Sequence, residues 1–124
     1  MSAGRTPDDR RAALKRGADA EDHVAELLVE QGWDVVSRNW RGGGGELDLV
    51  VVRGDALRFV EVKARQADDL HGPEMAVGPR KQRKLIRAAE AFLASCDLMY
   101  DEVAFLVALV EGGRIRLIDD AFDA

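Results

Sequence analysis

Cysteine is almost missing from this chain of 124 residues, where Cys96 stands alone. An internal disulfide is therefore excluded, and so is a thiolate metal cluster. No apolar run approaches the ~20 residues that a membrane-spanning helix needs, and the N-terminus carries no apolar secretory core. The reading is a cytoplasmic protein with no membrane partner. A basic excess is absent too, since the formal net charge is -5. That imbalance is local. Residues 97–124 hold seven acids against two arginines, whereas residues 1–95 hold sixteen of each sign. Strong attachment to nucleic acid by bulk charge is thereby excluded, and any such binding must rest on local basic clusters. Internal repeats and low-complexity tracts are also lacking.

What is present describes an ordinary globular domain, with 47% hydrophobic and 33% charged residues. The length suits a single domain over residues 6–124, preceded by a disordered tail at residues 1–5. Thr6-Pro7-Asp8-Asp9 signals a helix start, with a capping hydroxyl, proline at the first helical position and acids on the positive end of the dipole. This helix is expected to run to Gln31 and stop at Gly32, burying Ala20, Val24, Leu27 and Leu28, with Glu21 on the flank of that stripe. Residues 33–39 read as a first strand. The four glycines from Gly42 to Gly45 form a loop that permits unusual dihedrals or the close approach of another backbone. A strand follows them, so the phosphate-binding loop that would require a helix there is rejected.

That next strand holds the most informative residues. Gly45-Glu46-Leu47-Asp48-Leu49-Val50 is followed, after a short turn, by Phe59-Val60-Glu61-Val62-Lys63. Gly54-Asp55 between them has glycine at the first central position of a two-residue hairpin loop. With that loop, Asp48 lies across from Glu61 and Glu46 across from Lys63. Leu47, Leu49 and Val51 face one side with Val60 and Val62, and the carboxylates share the other with Val50 and Phe59. Cross-strand neighbours sit about 4.5–5.5 Å apart, close enough for two carboxylates to meet one ion. Like charges so placed destabilise a sheet unless a cation joins them. The plainer reading, a structural salt bridge between Glu46 and Lys63, leaves Asp48 facing Glu61 unexplained.

Beyond the hairpin, residues 66–78 form a long polar loop with His71, and an exposed loop histidine more often has no chemical role. Pro79 opens a second helix to Ser95, with Leu85, Ala88, Ala89, Phe92 and Leu93 inward. Lys81 lies one turn before Leu85, at the edge of that inward side, while Arg80, Arg83, Lys84 and Arg87 form an exposed basic stripe. Residues 102–110 and 114–118 read as two closing strands. The expected fold class is α/β: a mixed central sheet of about five strands flanked by helices, in the order α-β-β-β-α-β-β.

Asp48 followed by Glu61-Val62-Lys63 resembles the Asp…Glu-X-Lys site of the restriction-endonuclease-like nuclease superfamily. Within it the chain is similar to the YraN-like bacterial family, and more distantly to archaeal Holliday-junction resolvases. The resemblance extends from Gly17 over nearly the whole chain. It is carried by Gly17 and Glu21, Asn39 and Arg41, the Gly-Glu-Leu-Asp-Leu-Val strand, Phe-Val-Glu-Val-Lys-Ala-Arg, Lys81, Tyr100-Asp101 and Ala121-Phe122. Leu47 replaces the proline common before the superfamily's aspartate, as is usual in the YraN-like branch. Leu98-Met99 stand where that branch tends to carry an arginine.

The resemblance implies a metal-dependent endonuclease that hydrolyses phosphodiesters of DNA, including branched or damaged forms. Mg²⁺ or Mn²⁺ would be held by Glu21, Asp48, Glu61 and the Val62 carbonyl. Lys63 would join Glu21, Asp48 and Glu61 as the catalytic set, and Glu46 would position its ammonium. Arg41, Arg65, Lys81 and Lys84 would meet the nucleic-acid backbone, and the protein would form a homodimer. The second reading is a non-catalytic nucleic-acid-binding or assembly module that keeps the nuclease fold.

Overall fold

The computed structural model describes residues 7–64, 77–96 and 100–122, with side chains from residue 19 onward. The expected N-terminal tail, Arg65, His71 and Leu98-Met99 lie outside the described residues. Seven elements follow the expected order: α1 (Pro7–Glu30), β1 (Asp34–Gly42), β2 (Gly45–Arg53), β3 (Ala56–Ala64), α2 (Pro79–Ser95), β4 (Glu102–Glu111) and β5 (Arg114–Ile118). The strands form one mixed sheet in the order β1-β2-β3-β4-β5. Only β3 and β4 run parallel, joined by the crossover through α2. Among the described residues no helix is long and apolar enough to cross a membrane.

Each face of the sheet carries a helix, which explains the near-continuous apolar strands. On one face Val24, Ala25 and Leu28 of α1 pack on Leu49, Val51, Val60, Leu106 and Ala108. On the other, Leu85, Ala88, Ala89 and Phe92 of α2 pack on Val50, Leu57, Phe59 and Phe105. Phe92 meets Phe59 and Trp40 edge-on, at 5.9 and 5.4 Å between ring centres. Helix α1 stops as expected. Gly32 takes φ 94°, its N–H donates to the Val29 carbonyl, and the Trp33 N–H donates to that of Leu28. This is the hydrogen-bond pattern of a glycine-terminated helix, with Trp33 and Leu28 closing the apolar contact.

The first hairpin departs from expectation in an instructive way. β1 continues to Gly42, and only Gly43 and Gly44 form the turn, with φ 61° and 82°. Positive φ at both central residues suits the right-handed twist of paired strands. A Cβ on Gly43 would lie 2.6 Å from the Arg87 carbonyl oxygen, and one on Gly45 would lie 2.8 Å from that of Lys84. The hairpin tip thus rests directly on the backbone of α2. Two irregularities bend it there. The register slips between Val35 and Ser37, and Asn39, between the pairs Arg38↔Leu49 and Trp40↔Leu47, takes φ 52°. Leu47 consequently packs in the α2-side core with Trp40, not beside Leu49 and Val51 as strict alternation predicts.

The opposite end of the sheet is tied by Arg58, which the sequence reading did not single out. Its buried guanidinium meets Glu102 and Asp119, each at 2.6 Å, and also donates to the Leu57 and Glu102 carbonyls. A charge this buried is tolerated because its donors find acceptors.

Glycine docking at the hairpin tip can be weighed against backbone strain alone. Gly43→Ala and Gly112→Ala share the left-handed penalty of about 1–2 kcal/mol, since Gly112 has φ 51° with open space around its Cβ. Gly43→Ala is expected to cost a further ~1–3 kcal/mol through overpacking on α2. Chemical denaturation of both variants measures the difference, and equal losses would show that the tip is not seated on the helix.

Candidate functional site

The pairing of β2 with β3 runs from Arg53↔Ala56, across the Gly54-Asp55 turn, to Leu49↔Val60. Gly54 has φ 58°, as the turn chemistry requires. This register sets Asp48 toward Glu61, as the sequence indicated. Beyond Leu49↔Val60 the ladder stops, although β3 stays paired with β4 as far as Ala64↔Val110. In the gap, the Val62 N–H donates to Asp48 Oδ2 at 2.8 Å. A side-chain carboxylate has taken the acceptor position that a backbone carbonyl would fill in a continuing ladder.

Glu61 is buried beside it, and among the described residues its Oε2 has no hydrogen-bond partner. Burial, followed by repulsion from Asp48, pushes the Glu61 carboxyl up to about 7 from 4.5, despite the opposing pull of Lys81. Burial also raises the Asp48 carboxyl, against the Val62 hydrogen bond that lowers it. Lys81 of α2 reaches across to Glu61, Nζ to Oε1 at 3.5 Å. The helix spacing that put Lys81 one turn before Leu85 is thus realised, with its ammonium turned toward the acids.

Glu21 arrives from α1 on the other side of the sheet. Its carboxyl is also raised, by burial first and then by Asp48. Asn39 links it to the hairpin. With the amide oriented to suit its neighbours, Asn39 Nδ2 donates to Glu21 Oε1 at 3.1 Å and to Glu46 Oε1 at 3.3 Å. Asn39 is the site residue to which the sequence reading assigned no role. Its signal was an asparagine inside a strand, since asparagine tolerates the left-handed backbone more readily than most residues.

Several expectations require correction. Glu46 does not pair with Lys63. It meets Arg41, its cross-strand partner on β1, at 3.7 Å. The hairpin has turned onto α2 and the β2–β3 ladder has ended, so the position opposite Lys63 is lost. Lys63 is exposed, and among the described residues it makes no ion pair within 4 Å. Lys81, read as a backbone-binding cation only, is an ion-pair partner of the candidate site. Among the described residues, no three Asp, Glu, His or Cys side chains converge closely enough to chelate one ion. The close pair is Asp48 and Glu61, and Glu21 stands off behind Asn39.

The fit of a divalent cation can be judged from that pair. Two neighbouring carboxylates, both held above their ordinary range, and one buried oxygen without a partner among the described residues form an oxygen-donor set short of positive charge. Mg²⁺ is commonly bound by one or two carboxylates, with water and phosphate completing its shell. The donors fit such an ion.

Comparison with known sequences adds a family. The sequence matches the family described as "Uncharacterised protein family UPF0102" over residues 20–115. The chain belongs to this family. A UPF0102 protein of Nitratidesulfovibrio vulgaris (strain DP4) is 42% identical over 111 residues, covering 86% of this chain and 83% of its own. One from Synechococcus sp. (strain JA-3-3Ab) is 44% identical over 108 residues, covering 85% and 81%. Another, from Acidiphilium cryptum (strain JF-5), is 44% identical over 116 residues, covering 93% and 89%. In UPF0102 terms, the matched span takes in every site residue described above, from Glu21 to Lys81.

The raised Glu61 carboxyl has a stability consequence in metal-free protein. An acid raised on folding binds its proton more tightly in the folded state, so stability falls as pH rises from 4.5 through about 7. The loss above that window is on the order of 3 kcal/mol. Asp119, held low by Arg58, acts at lower pH and does not oppose it there. Denaturation with chelator present should show greater stability at pH 5 than at pH 8. Asp48→Asn should flatten that slope, and a flat wild-type profile would contradict the buried acid pair.

Proposed function

We propose that the chain is a divalent-cation-dependent endonuclease of the restriction-endonuclease-like superfamily, acting on DNA, including branched or damaged forms. The observation that carries this reading is the buried Glu61 oxygen, without a hydrogen-bond partner among the described residues, beside Asp48, where β2 and β3 part. Asp48 and Glu61 would hold Mg²⁺ or Mn²⁺, with Glu21 acting through water. The Val62 carbonyl is a further candidate ligand. In antiparallel pairs a residue's N–H and C=O face the same neighbour, and the Val62 N–H faces Asp48. A cation held there would polarise a phosphate and lower the pKa of a bound water.

The chain's own residues supply the rest. Lys63, two residues beyond Glu61 and without an ion-pair partner among the described residues, has an ammonium available to orient the attacking water and to stabilise charge developing on phosphorus. Arg41 and Lys84 are exposed and contribute backbone contacts that carry no base information. A homodimer and a cytoplasmic location belong to the same proposal.

A second reading has its own support. Lys81 already lends Glu61 a positive partner, and among the described residues no three acids converge. A non-catalytic nucleic-acid-binding or assembly module with this fold would look the same. Incubating the protein with branched, flapped, single-stranded and duplex DNA in Mn²⁺ separates the two. Cleavage by wild type and its loss in Asp48→Asn support the nuclease. Binding without cleavage in every arm favours the module.

Lys63→Ala makes the sharper test. Because Lys63 is exposed and unpaired with Glu46, its removal should leave the melting temperature nearly unchanged. Loss of a charged transition-state contact should slow cleavage by about 10²–10³-fold. A variant that cuts as fast as wild type would remove Lys63 from the catalytic set.

A further inference from the structure

Lys81 belongs to two places at once. Its ammonium pairs with Glu61, and its side chain also lines an open groove of about 570 Å³ between the glycine hairpin and α2. Arg41 and Lys84 line the same groove, with Gly44, Gly45 and Glu46. Among the described residues Glu46 is the acid that lines the groove, and it is already paired with Arg41. The floor is rigid, because the hairpin tip rests on the α2 backbone at Gly43 and Gly45. Gly44 leaves open space where a side chain would otherwise stand.

The start of α2 adds an independent indication. Gly78 caps it without a side-chain hydrogen bond, and its first turn holds no acid. Arg80 and Lys81 stand there instead, with positive charge on the positive end of the helix dipole. That arrangement is unfavourable alone and favourable beside an anion. Arg80, Arg83, Lys84 and Arg87 continue as an exposed cationic face, and among the described residues none of them forms an ion pair within 4 Å.

Building on the metal-site reading above, we propose that this groove seats a phosphate of a nucleic-acid backbone, and that Lys81, drawn from Glu61 to that phosphate, frees the acid pair for the divalent cation. Lys81 is then a positioning residue that acts through Glu61. Without substrate its ammonium competes with the cation for the same carboxylate. With a phosphate in the groove the competition is relieved, so nucleic acid and cation bind cooperatively. Coupling between two ligands is reciprocal, so each must tighten the other by the same factor.

The test is Mn²⁺ titration of the intact protein, with free Mn²⁺ matched between arms, read by melting temperature and by calorimetry. It is run alone, with inorganic phosphate, and with a short single-stranded DNA oligonucleotide or its uncharged methylphosphonate analogue. Charged oligonucleotide should raise Mn²⁺ affinity by about fivefold or more, and the uncharged analogue should not. An effect of inorganic phosphate as large as that of oligonucleotide would overturn the assignment to a nucleic-acid backbone. Lys81→Gln should bind Mn²⁺ more tightly than wild type without DNA, and should show weaker coupling with it. Lys84→Gln should weaken oligonucleotide binding while leaving Mn²⁺ affinity without DNA unchanged. Wild type that binds Mn²⁺ equally with and without oligonucleotide, or Lys81→Gln that binds it no more tightly, would overturn the inference and leave the metal site standing. Absence of Mn²⁺ binding in every arm would instead overturn the metal-site reading, and this inference with it.

Discussion

The hydrogen bond from the Val62 N–H to the Asp48 carboxylate is the contact around which the rest of the molecule is arranged. It closes the β2–β3 ladder with a side chain, so two strands that share a hairpin turn at one end part at the other. Parting opens a gap between them, where Glu61 is buried and its Oε2 meets no donor among the described residues. A carboxylate left unsatisfied in a protein interior is expensive. The chain tolerates it because β3 remains paired with β4 along its length and both faces of the sheet are packed by helices. A rigid scaffold therefore carries a locally unfavourable charge arrangement, the usual condition of a site prepared for a ligand.

Three elements that are distant in sequence reach this gap. Helix α1 contributes Glu21, the bent hairpin contributes Asn39 and Glu46, and α2 contributes Lys81. Their convergence depends on the hairpin lying down on α2, which the glycines at 43 and 45 permit by admitting helix backbone within a side chain's reach. Remote from the site, Arg58 ties the strand ends and the segment after β5 together. The molecule thus has a fully satisfied ionic cluster at one end of its sheet and an under-satisfied one at the other.

The cation balance matters as much as the acids. Although the chain is acidic overall, its excess acid lies after residue 96, and exposed Arg41, Lys81 and Lys84 stand beside the acid pair. The first turn of α2 holds Arg80 and Lys81 and no acid, so positive charge sits on the positive end of the helix dipole.

Much of this was legible in the sequence. Alternation in residues 45–63, with glycine at the first turn position, determined the β2–β3 register and hence that Asp48 faces Glu61. Helical spacing placed Lys81 on the inward edge of α2, Pro7 and Pro79 marked the helix starts, and Gly32 marked the end of α1. These are short-range regularities, set by backbone period and turn chemistry, so one chain suffices to read them. Three outcomes were decided only by the tertiary structure: the end of the ladder at Asp48, the exchange of Lys63 for Arg41 as the partner of Glu46, and the passage of Leu47 to the α2 side. Each depends on the left-handed turn of Asn39 and the docking of the hairpin on α2. Local pattern assumes that a strand stays straight, whereas contacts between residues about forty positions apart determined where this one bends.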